Sequence, residues 1–254
     1  MGEYPPHYVD RLEILWGRGF MSPGGPDEVR EIVRGIDLAG KHVLDIGCGI
    51  GGPDLVLCEL GAAHVTGIDV DDALTDRARR NASASGMTDR TAFMRVSPGP
   101  LNFPDESLDL VFSKDAILHV DDKAAMFAEI FRVLKPGGRF AASDWLCGEG
   151  SENMPEWQAY AAQASYTVTA ETAAEVTRII AGAGFVDIET RDRNRWYAEL
   201  SRKHMAQIEG ELRDELIKAS SPEIYERWRK ARRAQLAAVE AGAMRPTHLR
   251  ALRP

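Results

Sequence analysis

The stretch Val43-Leu-Asp45-Ile-Gly47-Cys-Gly49-Ile-Gly51-Gly52 decides the fold class of this chain. An apolar run that leads into closely spaced glycines is typical of a strand that turns tightly into a helix. Residues without a Cβ leave room for a ligand to approach the backbone at such a turn. A helical pattern resumes at residues 54–60. The stretch therefore predicts a nucleotide-type binding loop between a first strand and its helix.

Short apolar runs and helical patterns alternate on both sides of this loop. Predicted strands cover residues 42–46, 63–68, 91–96, 108–113, 139–143 and 185–189. Predicted helices cover residues 12–40 with a loop at 21–25, then 54–60, 72–85, 123–134, 154–166, 170–182 and 198–240 with a break at 220–222. A turn is predicted at residues 135–138. This alternation predicts an α/β fold with a mostly parallel sheet covered on both faces.

The composition narrows the class of partner. The net charge is -8, and nucleic-acid binding depends on dense Lys and Arg, so we expect a small-molecule substrate and no nucleic acid. No window approaches the ~20 apolar residues of a membrane span, and we expect a cytoplasmic protein with no membrane contact. Three scattered cysteines and six dispersed histidines indicate neither a disulfide framework nor a metal site. We expect a monomer or a weak homo-oligomer.

The glycine spacing alone leaves the ligand open. Gly47, Gly49 and Gly52 also satisfy the G-x-G-x-x-G pattern of dehydrogenases, and Asp69 lies near the distance at which such enzymes hold a ribose. Asp45, however, precedes the glycines inside the strand. A carboxylate there is poorly placed beside a pyrophosphate but well placed to order the loop or to meet an ammonium group. This favours a cationic cofactor over a dinucleotide.

Two later motifs sharpen this interpretation. Phe103-Pro-Asp-Glu-Ser-Leu-Asp-Leu110 precedes Leu134-Lys-Pro-Gly-Gly-Arg-Phe140. In this order, and with the glycine loop, they resemble the class I S-adenosylmethionine (SAM)-dependent methyltransferases over about residues 40–145. The resemblance implies a Rossmann-like sheet, mostly parallel with one antiparallel strand. It also implies which side chains hold SAM: Asp45, Gly47, Gly49 and Gly51 around the methionine part, and Asp69 on both ribose hydroxyls.

Two alternatives to these roles stay open, since Asp45 could be a strand-end cap and Asp69 a helix N-cap. The family also places an acidic residue after its third strand for the adenine amine. This chain has Ser97 there, so a hydroxyl or a backbone carbonyl would make that contact.

The segment Ser113-Lys-Asp115-Ala-Ile-Leu-His119 follows the fourth predicted strand. Asp115 and His119 are four residues apart and share a face if the segment forms a helical turn. An alkylammonium has a pKa of roughly 10, so a histidine near neutrality can take the proton that an amine must lose. Asp115 could hold the amine. His119 as a purely structural histidine is the alternative.

A closer resemblance is to the phosphoethanolamine N-methyltransferases. It is carried by Phe20-Met-Ser-Pro-Gly-Gly25, by the segment 113–119, and by Tyr160-Ala-Ala-Gln-Ala-Ser-Tyr-Thr167. It implies a Tyr-His pair of His119 with Tyr4, or with Tyr8 in reserve.

By the same resemblance Met21, Ser22 and Lys114 line the SAM pocket, and the N-terminal helix is a lid. It also implies a phosphate site formed by Tyr160, Tyr166 and Lys230. The arginine of that site is missing, because its place is Ala164.

These observations predict one domain over residues 1–254, with N-terminal lid helices at 1–40, the SAM-binding core at 41–145, and substrate-side helices, the last strands and a C-terminal helical cap at 146–254. The leading hypothesis is N-methylation of a small polar amine, with S-adenosylhomocysteine as the other product. O- or C-methylation of a small metabolite stays open because of Ala164. A nicotinamide dehydrogenase and a catalytically silent SAM-binding subunit are the hypotheses from other classes.

Overall fold

The computed structural model describes residues 6–163 and 171–254. Within these residues seven strands form one sheet of order β3-β2-β1-β4-β5-β7-β6. The strands are β1 (His42–Ile46), β2 (His64–Asp69), β3 (Thr91–Arg95), β4 (Leu108–Lys114), β5 (Leu134–Cys147), β6 (Val186–Asp192) and β7 (Met244–Leu252). β7 runs antiparallel to both of its neighbours, whereas β1 to β5 pair in parallel. The expected Rossmann-like sheet with one antiparallel strand is confirmed.

The helices of the described residues flank this sheet. They are α1 (Pro6–Trp16), α2 (Gly25–Ile32), α3 (Gly52–Glu59), α4 (Asp72–Ala84), α5 (Lys123–Val133), α6 (Pro155–Ala161), α7 (Ala173–Gly182), α8 (Asn194–Glu209), α9 (Arg213–Lys218) and α10 (Pro222–Glu240). Short 3₁₀ turns lie at Thr88–Arg90, Ile117–His119 and Ser151–Asn153. None of the helices within residues 6–163 and 171–254 combines the length and apolar character that crossing a bilayer requires.

Alternate side chains of β1 pack on opposite faces of the sheet, as a period of two requires. Leu44 and Ile46 join an apolar cluster with α5 and α7, while Val43 joins one with α2 and α3. A third cluster packs α1 against α8, α9 and α10. The N-terminal helix α1 therefore packs directly against the C-terminal helices.

Several predicted boundaries were wrong. The break predicted at residues 220–222 is present, but α8 also ends before Gly210, so the helical pattern of residues 198–240 belongs to three helices. The second N-terminal helix begins at Gly25 and not near Asp27. The turn predicted at 135–138 lies inside β5, with Gly137 at φ 78°. The sequence pattern also gave no position for β7.

Candidate functional site

The glycine loop joins β1 to α3 at the carboxyl edge of the sheet. Gly47, Gly49 and Gly51 have φ values of 76°, 53° and 84°, which disfavour any residue with a Cβ. A Cβ at Gly47 would also collide with the side chain of Ala116, and one at Gly49 would lie 3.0 Å from Sδ of Met21. The loop lies between β1 and β4, where the strand order reverses and ligands of open α/β sheets bind.

Asp69 ends β2 beside this loop. Its Oδ2 accepts a hydrogen bond from the Gly49 amide at 3.0 Å, and its Oδ1 accepts one from the Asp71 amide at 3.0 Å. The N-cap of α4 is Asp71, whose Oδ1 accepts from the Ala73 amide. Asp69 is therefore not the helix cap. Burial raises its pKa above the ordinary value although the backbone amides lower it.

Asp45 lies beneath the loop and faces a second carboxyl group. Asp45 is 1% exposed and Asp54 of α3 is fully buried. Burial raises the pKa of Asp45 to about 7, although the hydrogen bond with Asp54 lowers it. Burial, reinforced by Asp45, raises the pKa of Asp54 well above its usual range. The two groups share a proton near neutrality, and Asp45 is not a strand-end cap.

The N-terminal segment closes over the loop. The Gly52 amide donates to the Gly19 carbonyl at 3.0 Å, and Met21 packs against Ile50 and Leu74. These contacts bring the end of the first helical segment to the glycine loop. The arrangement fits a SAM cradle: a floor that admits no Cβ and an acidic side chain at each of two neighbouring strands.

A buried network lies where β4 ends. Nζ of Lys114 donates to Oδ2 of Asp115 at 2.7 Å, to Oγ of Ser22 at 2.6 Å and to the Pro23 carbonyl at 2.9 Å. Oγ of Ser143 donates to Oδ1 of Asp115 at 3.0 Å. Asp115 has a φ of 58°, a conformation that non-glycine residues rarely adopt. Lys114 thus ties the N-terminal loop to the carboxylate that follows β4.

His119 lies in the 3₁₀ turn Ile117–His119 and is exposed. Asp115 and His119 therefore share no α-helical turn, because the chain first passes through the left-handed conformation at Asp115. Tyr160 of α6 is 6% exposed and packs with Trp157 and Tyr197.

The remaining predicted residues are spread around this edge. Tyr8 lies on α1, with the guanidinium of Arg11 5.5 Å from its ring. Ser97 follows β3 and is exposed, as is Lys230 on α10. Tyr4, Tyr166 and Ala164 lie outside the described residues.

The sequence patterns missed Asp54, Ser143 and Arg11. Asp54 is two residues past the glycines, and only its fold position brings it to Asp45. Ser143 lies on β5, and the register pairs it with Lys114 rather than with Asp115. Nothing in the sequence around Arg11 distinguishes it from a solvated helix arginine.

Comparison with known families places the loop in a defined domain. Residues 44–142 match the family described as a methyltransferase domain. Phosphoethanolamine N-methyltransferase 1 of Arabidopsis thaliana is 32% identical over 225 residues, which are 88% of this chain and 45% of that protein. Phosphoethanolamine N-methyltransferase of Triticum aestivum is 33% identical over 84% of this chain and 41% of that protein. The chain spans less than half the length of these two relatives.

Solved structures share the fold. Phosphoethanolamine N-methyltransferase 2 of Haemonchus contortus, in complex with phosphomonomethylethanolamine and S-adenosylhomocysteine, superposes with a TM-score of 0.88 at 24% identity over 97% of this chain and 57% of that one. A putative sarcosine dimethylglycine methyltransferase of Galdieria sulphuraria gives a TM-score of 0.77 at 19% identity, over 99% of this chain and 92% of that one. Residues 44–142 therefore match a methyltransferase domain, and the described residues share the fold of these solved structures.

Proposed function

We propose that this chain transfers the methyl group of SAM to the nitrogen of a small amine that is phosphoethanolamine-like or amino-acid-like. The observation that carries the proposal is the 32% identity to a phosphoethanolamine N-methyltransferase over 88% of the chain. The product S-adenosylhomocysteine would leave from the same cradle.

The cofactor roles proposed for the cradle follow its geometry. Asp69 has acceptor capacity left beside its two amide bonds and would bind the ribose hydroxyls. Asp45 would hold the positively charged methionine end through the loop formed by Gly47, Gly49 and Gly51. We also propose that SAM contacts Met21, Ser22, Lys114 and Ser97.

When bound, SAM supplies an electrophilic methyl group. The amine nitrogen must lose a proton to present its lone pair, and His119 at the exposed turn is the proposed acceptor, with Tyr4 as its partner and Tyr8 in reserve. Asp115 is held rigidly by Lys114 and Ser143 and would orient the amine. Tyr160, Tyr166 and Lys230 are proposed to contact the other end of the substrate.

We also propose a cellular location, an oligomeric state and a domain organisation. We place the protein in the cytoplasm, as a monomer or weak homo-oligomer with no nucleic-acid partner, in line with its net charge of -8. Residues 1–254 would act as one domain, with lid helices at 1–40, the SAM core at 41–145 and the substrate side at 146–254.

The test is turnover with labelled SAM across phosphoethanolamine, aminoethylphosphonate, glycine and sarcosine. Transfer to at least one amine, with a labelled N-methyl product, is the expected result. Transfer only to a phenol, an acid or a carbon centre would replace N-methylation with the O- or C-methyl alternative. No transfer to any acceptor, with S-adenosylhomocysteine still bound in calorimetry, would indicate a silent binding protein.

A further inference from the structure

A group of aromatic and cationic side chains lies where α1 packs against α10. Arg11 of α1 is 2% exposed, and its Cζ is 5.5 Å from the ring centroid of Tyr8 and 5.8 Å from that of Trp228. Cζ of Arg232 on α10 is 5.7 Å from the ring of Trp228 and 5.7 Å from that of Trp16. Two guanidinium groups from different helices therefore share one indole ring.

Several donor atoms of this group are buried and unpaired. Within residues 6–163 and 171–254, no acceptor binds Nε or Nη1 of Arg11, Nε of Arg232, or Nε1 of Trp228. Buried arginines are almost always paired, because an unpaired buried donor retains its full desolvation cost. An acceptor that belongs to a bound molecule would satisfy all three residues.

The arginines of this group also lack ion-pair partners among the described residues. Burial lowers the pKa of Arg11, and the charges of Arg227 and Arg232 lower it further. None of these three arginines takes part in an ion pair within the described part of the chain. Arg11 and Arg232 therefore place two cations beside one indole ring, which a bound anion would stabilise, while Arg227 is exposed to solvent.

Other arginines of α10, by contrast, have ion-pair partners. Arg229 and Arg233 of the same helix both pair with Glu209 on the outer side. His204 packs beside Trp16 and adds no positive charge near neutrality, because burial, reinforced by Arg232, lowers its pKa to about 4.

The position of α10 links this group to the substrate side. Trp228 belongs to the apolar cluster that holds α1, while Ala234 and Ala238 belong to the cluster that contains Tyr160. Arg232 lies between them along the helix. The arginine group therefore borders the region where we propose that the substrate tail binds.

We propose that Arg11 and Arg232, with Arg227 close by, bind an oxyanion group of the substrate, either a phosphate or a phosphonate. This inference rests on the proposed function, because it specifies the substrate of that same site. Ala164 leaves one expected arginine absent from the sequence. The two guanidiniums would supply that positive charge from α1 and α10, and a guanidinium binds such a group through two parallel hydrogen bonds.

The first arm of the test needs no catalysis. The melting temperature is measured with inorganic phosphate and with sodium chloride at matched ionic strength. We expect phosphate to raise the melting temperature of the wild type, and Arg11→Met and Arg232→Met to abolish that rise. Arg233→Met, which removes the same charge from the outer face, should keep it. A rise retained in both of the first two variants would overturn the proposal.

The same measurement separates binding from folding. Without phosphate, Arg11→Met should melt no lower than the wild type, because methionine fills similar space and removes an unpaired buried cation. Arg11→Lys keeps the charge and should keep part of the phosphate effect. Arg232 is only partly buried, so its variant still decides the question if the Arg11 variant does not fold.

The second arm identifies the anion. With phosphoethanolamine as acceptor, Arg11→Met should raise KM by about 10- to 100-fold, the loss expected for a charge-assisted contact, while the KM for SAM stays unchanged. The KM for ethanolamine, which lacks the anion, should not change. An unaltered KM for phosphoethanolamine would overturn the assignment to the substrate. If the wild type methylates no amine, the proposed function fails, and the phosphate arm alone decides whether the anion site exists.

Discussion

Asp45 is the residue whose ionisation gives the most direct test of the proposed cofactor site. Its pKa of about 7 arises from burial and from the charge of Asp69, which the hydrogen bond with Asp54 and the charge of Lys114 offset only in part. A raised carboxyl pKa means that the folded chain binds a proton that the unfolded chain has released. The unfolding free energy therefore falls as pH rises from about 4 to 7 through this group.

The expected consequence is a pH-dependent cofactor affinity. If a cationic methionine end faces Asp45, its binding favours the ionised carboxylate and releases a proton below pH 7. The affinity for S-adenosylhomocysteine should then weaken by up to about tenfold per pH unit below 7. Calorimetry at several pH values, in buffers of different ionisation enthalpy, measures both the affinity and the released proton.

Asp45→Asn should bind S-adenosylhomocysteine more weakly at pH 8 and lose this pH dependence. Asp89→Asn changes the net charge equally at an exposed position and serves as the matched control. An unchanged pH profile in Asp45→Asn would show that another group takes up the proton.

His119 is tested by turnover. His119→Ala should lower kcat by about 10²- to 10⁴-fold, the usual contribution of a positioned general base, with little change in the KM for SAM. His42→Ala removes an exposed histidine from the start of β1, at the opposite edge of the sheet, and should leave kcat unchanged. If kcat survives in His119→Ala, catalysis rests on positioning the two reactants alone.

At the scale of elements, sequence periodicity predicted β1 to β4 well because their apolar runs are short and bounded by turns. β7 was missed because Met244–Leu252 mixes Arg245, Pro246 and Arg250 with apolar residues. The strand forms there because pairing on both sides buries its backbone between β5 and β6. Such long-range pairing leaves no local signal.

The candidate site likewise combines residues that the sequence predicted with residues that it did not. The positions of the glycine loop and of Asp69 were predictable, since both depend on local spacing around one strand and one turn. The Asp45 and Asp54 pair and the Arg11 and Arg232 group were not, because each joins residues that only tertiary packing brings together. Local patterns carry no information about which buried charge lacks a partner.

The contact between the N-terminal segment and α3 depends on Gly52. A Cβ there would collide with the carbonyl of Gly19, which accepts the Gly52 amide. Gly52→Ala should therefore displace the segment, lower the unfolding free energy by about 1–3 kcal/mol, and weaken S-adenosylhomocysteine binding. Denaturant titration and calorimetry measure the two effects.

Gly182→Ala is the control for this variant. Gly182 ends α7, and a Cβ there would meet no atom within 4 Å, so its stability should be unchanged or slightly raised. Equal behaviour of the two alanine variants would mean that the N-terminal segment does not depend on the Gly19 contact.

At the scale of the whole molecule, one buried ion-pair group joins the two ends of the chain. Glu28 of α2 is fully buried and accepts hydrogen bonds from Nη2 of Arg193 at 2.7 Å and from Nε2 of His248 at 2.6 Å. Arg193 precedes α8, and His248 lies on β7. The group therefore holds the N-terminal helices, the C-terminal helices and the antiparallel strand together beneath the site.

Removing one partner of this group should destabilise the entire fold. Glu28→Gln leaves the guanidinium of Arg193, which is 9% exposed, without its counter-charge, so the unfolding free energy should fall by about 3–5 kcal/mol. Glu31 lies on the same helix as Glu28 and forms a more exposed pair with Arg191 of β6. Glu31→Gln should cost no more than about 1 kcal/mol. Denaturant titration of both variants gives the comparison.

The pH dependence of stability checks the same group independently. Burial alone would raise the pKa of Glu28, but the hydrogen bonds from His248 and Arg193 outweigh it and hold the pKa below the ordinary value of 4.5. A lowered carboxyl pKa contributes stability that is present above 4.5 and is lost as the pH falls further. Glu28→Gln should therefore flatten the acid limb of the stability curve relative to Glu31→Gln. An acid limb as steep as that of the wild type would show that other carboxylates, not Glu28, couple the two ends of the chain to protonation.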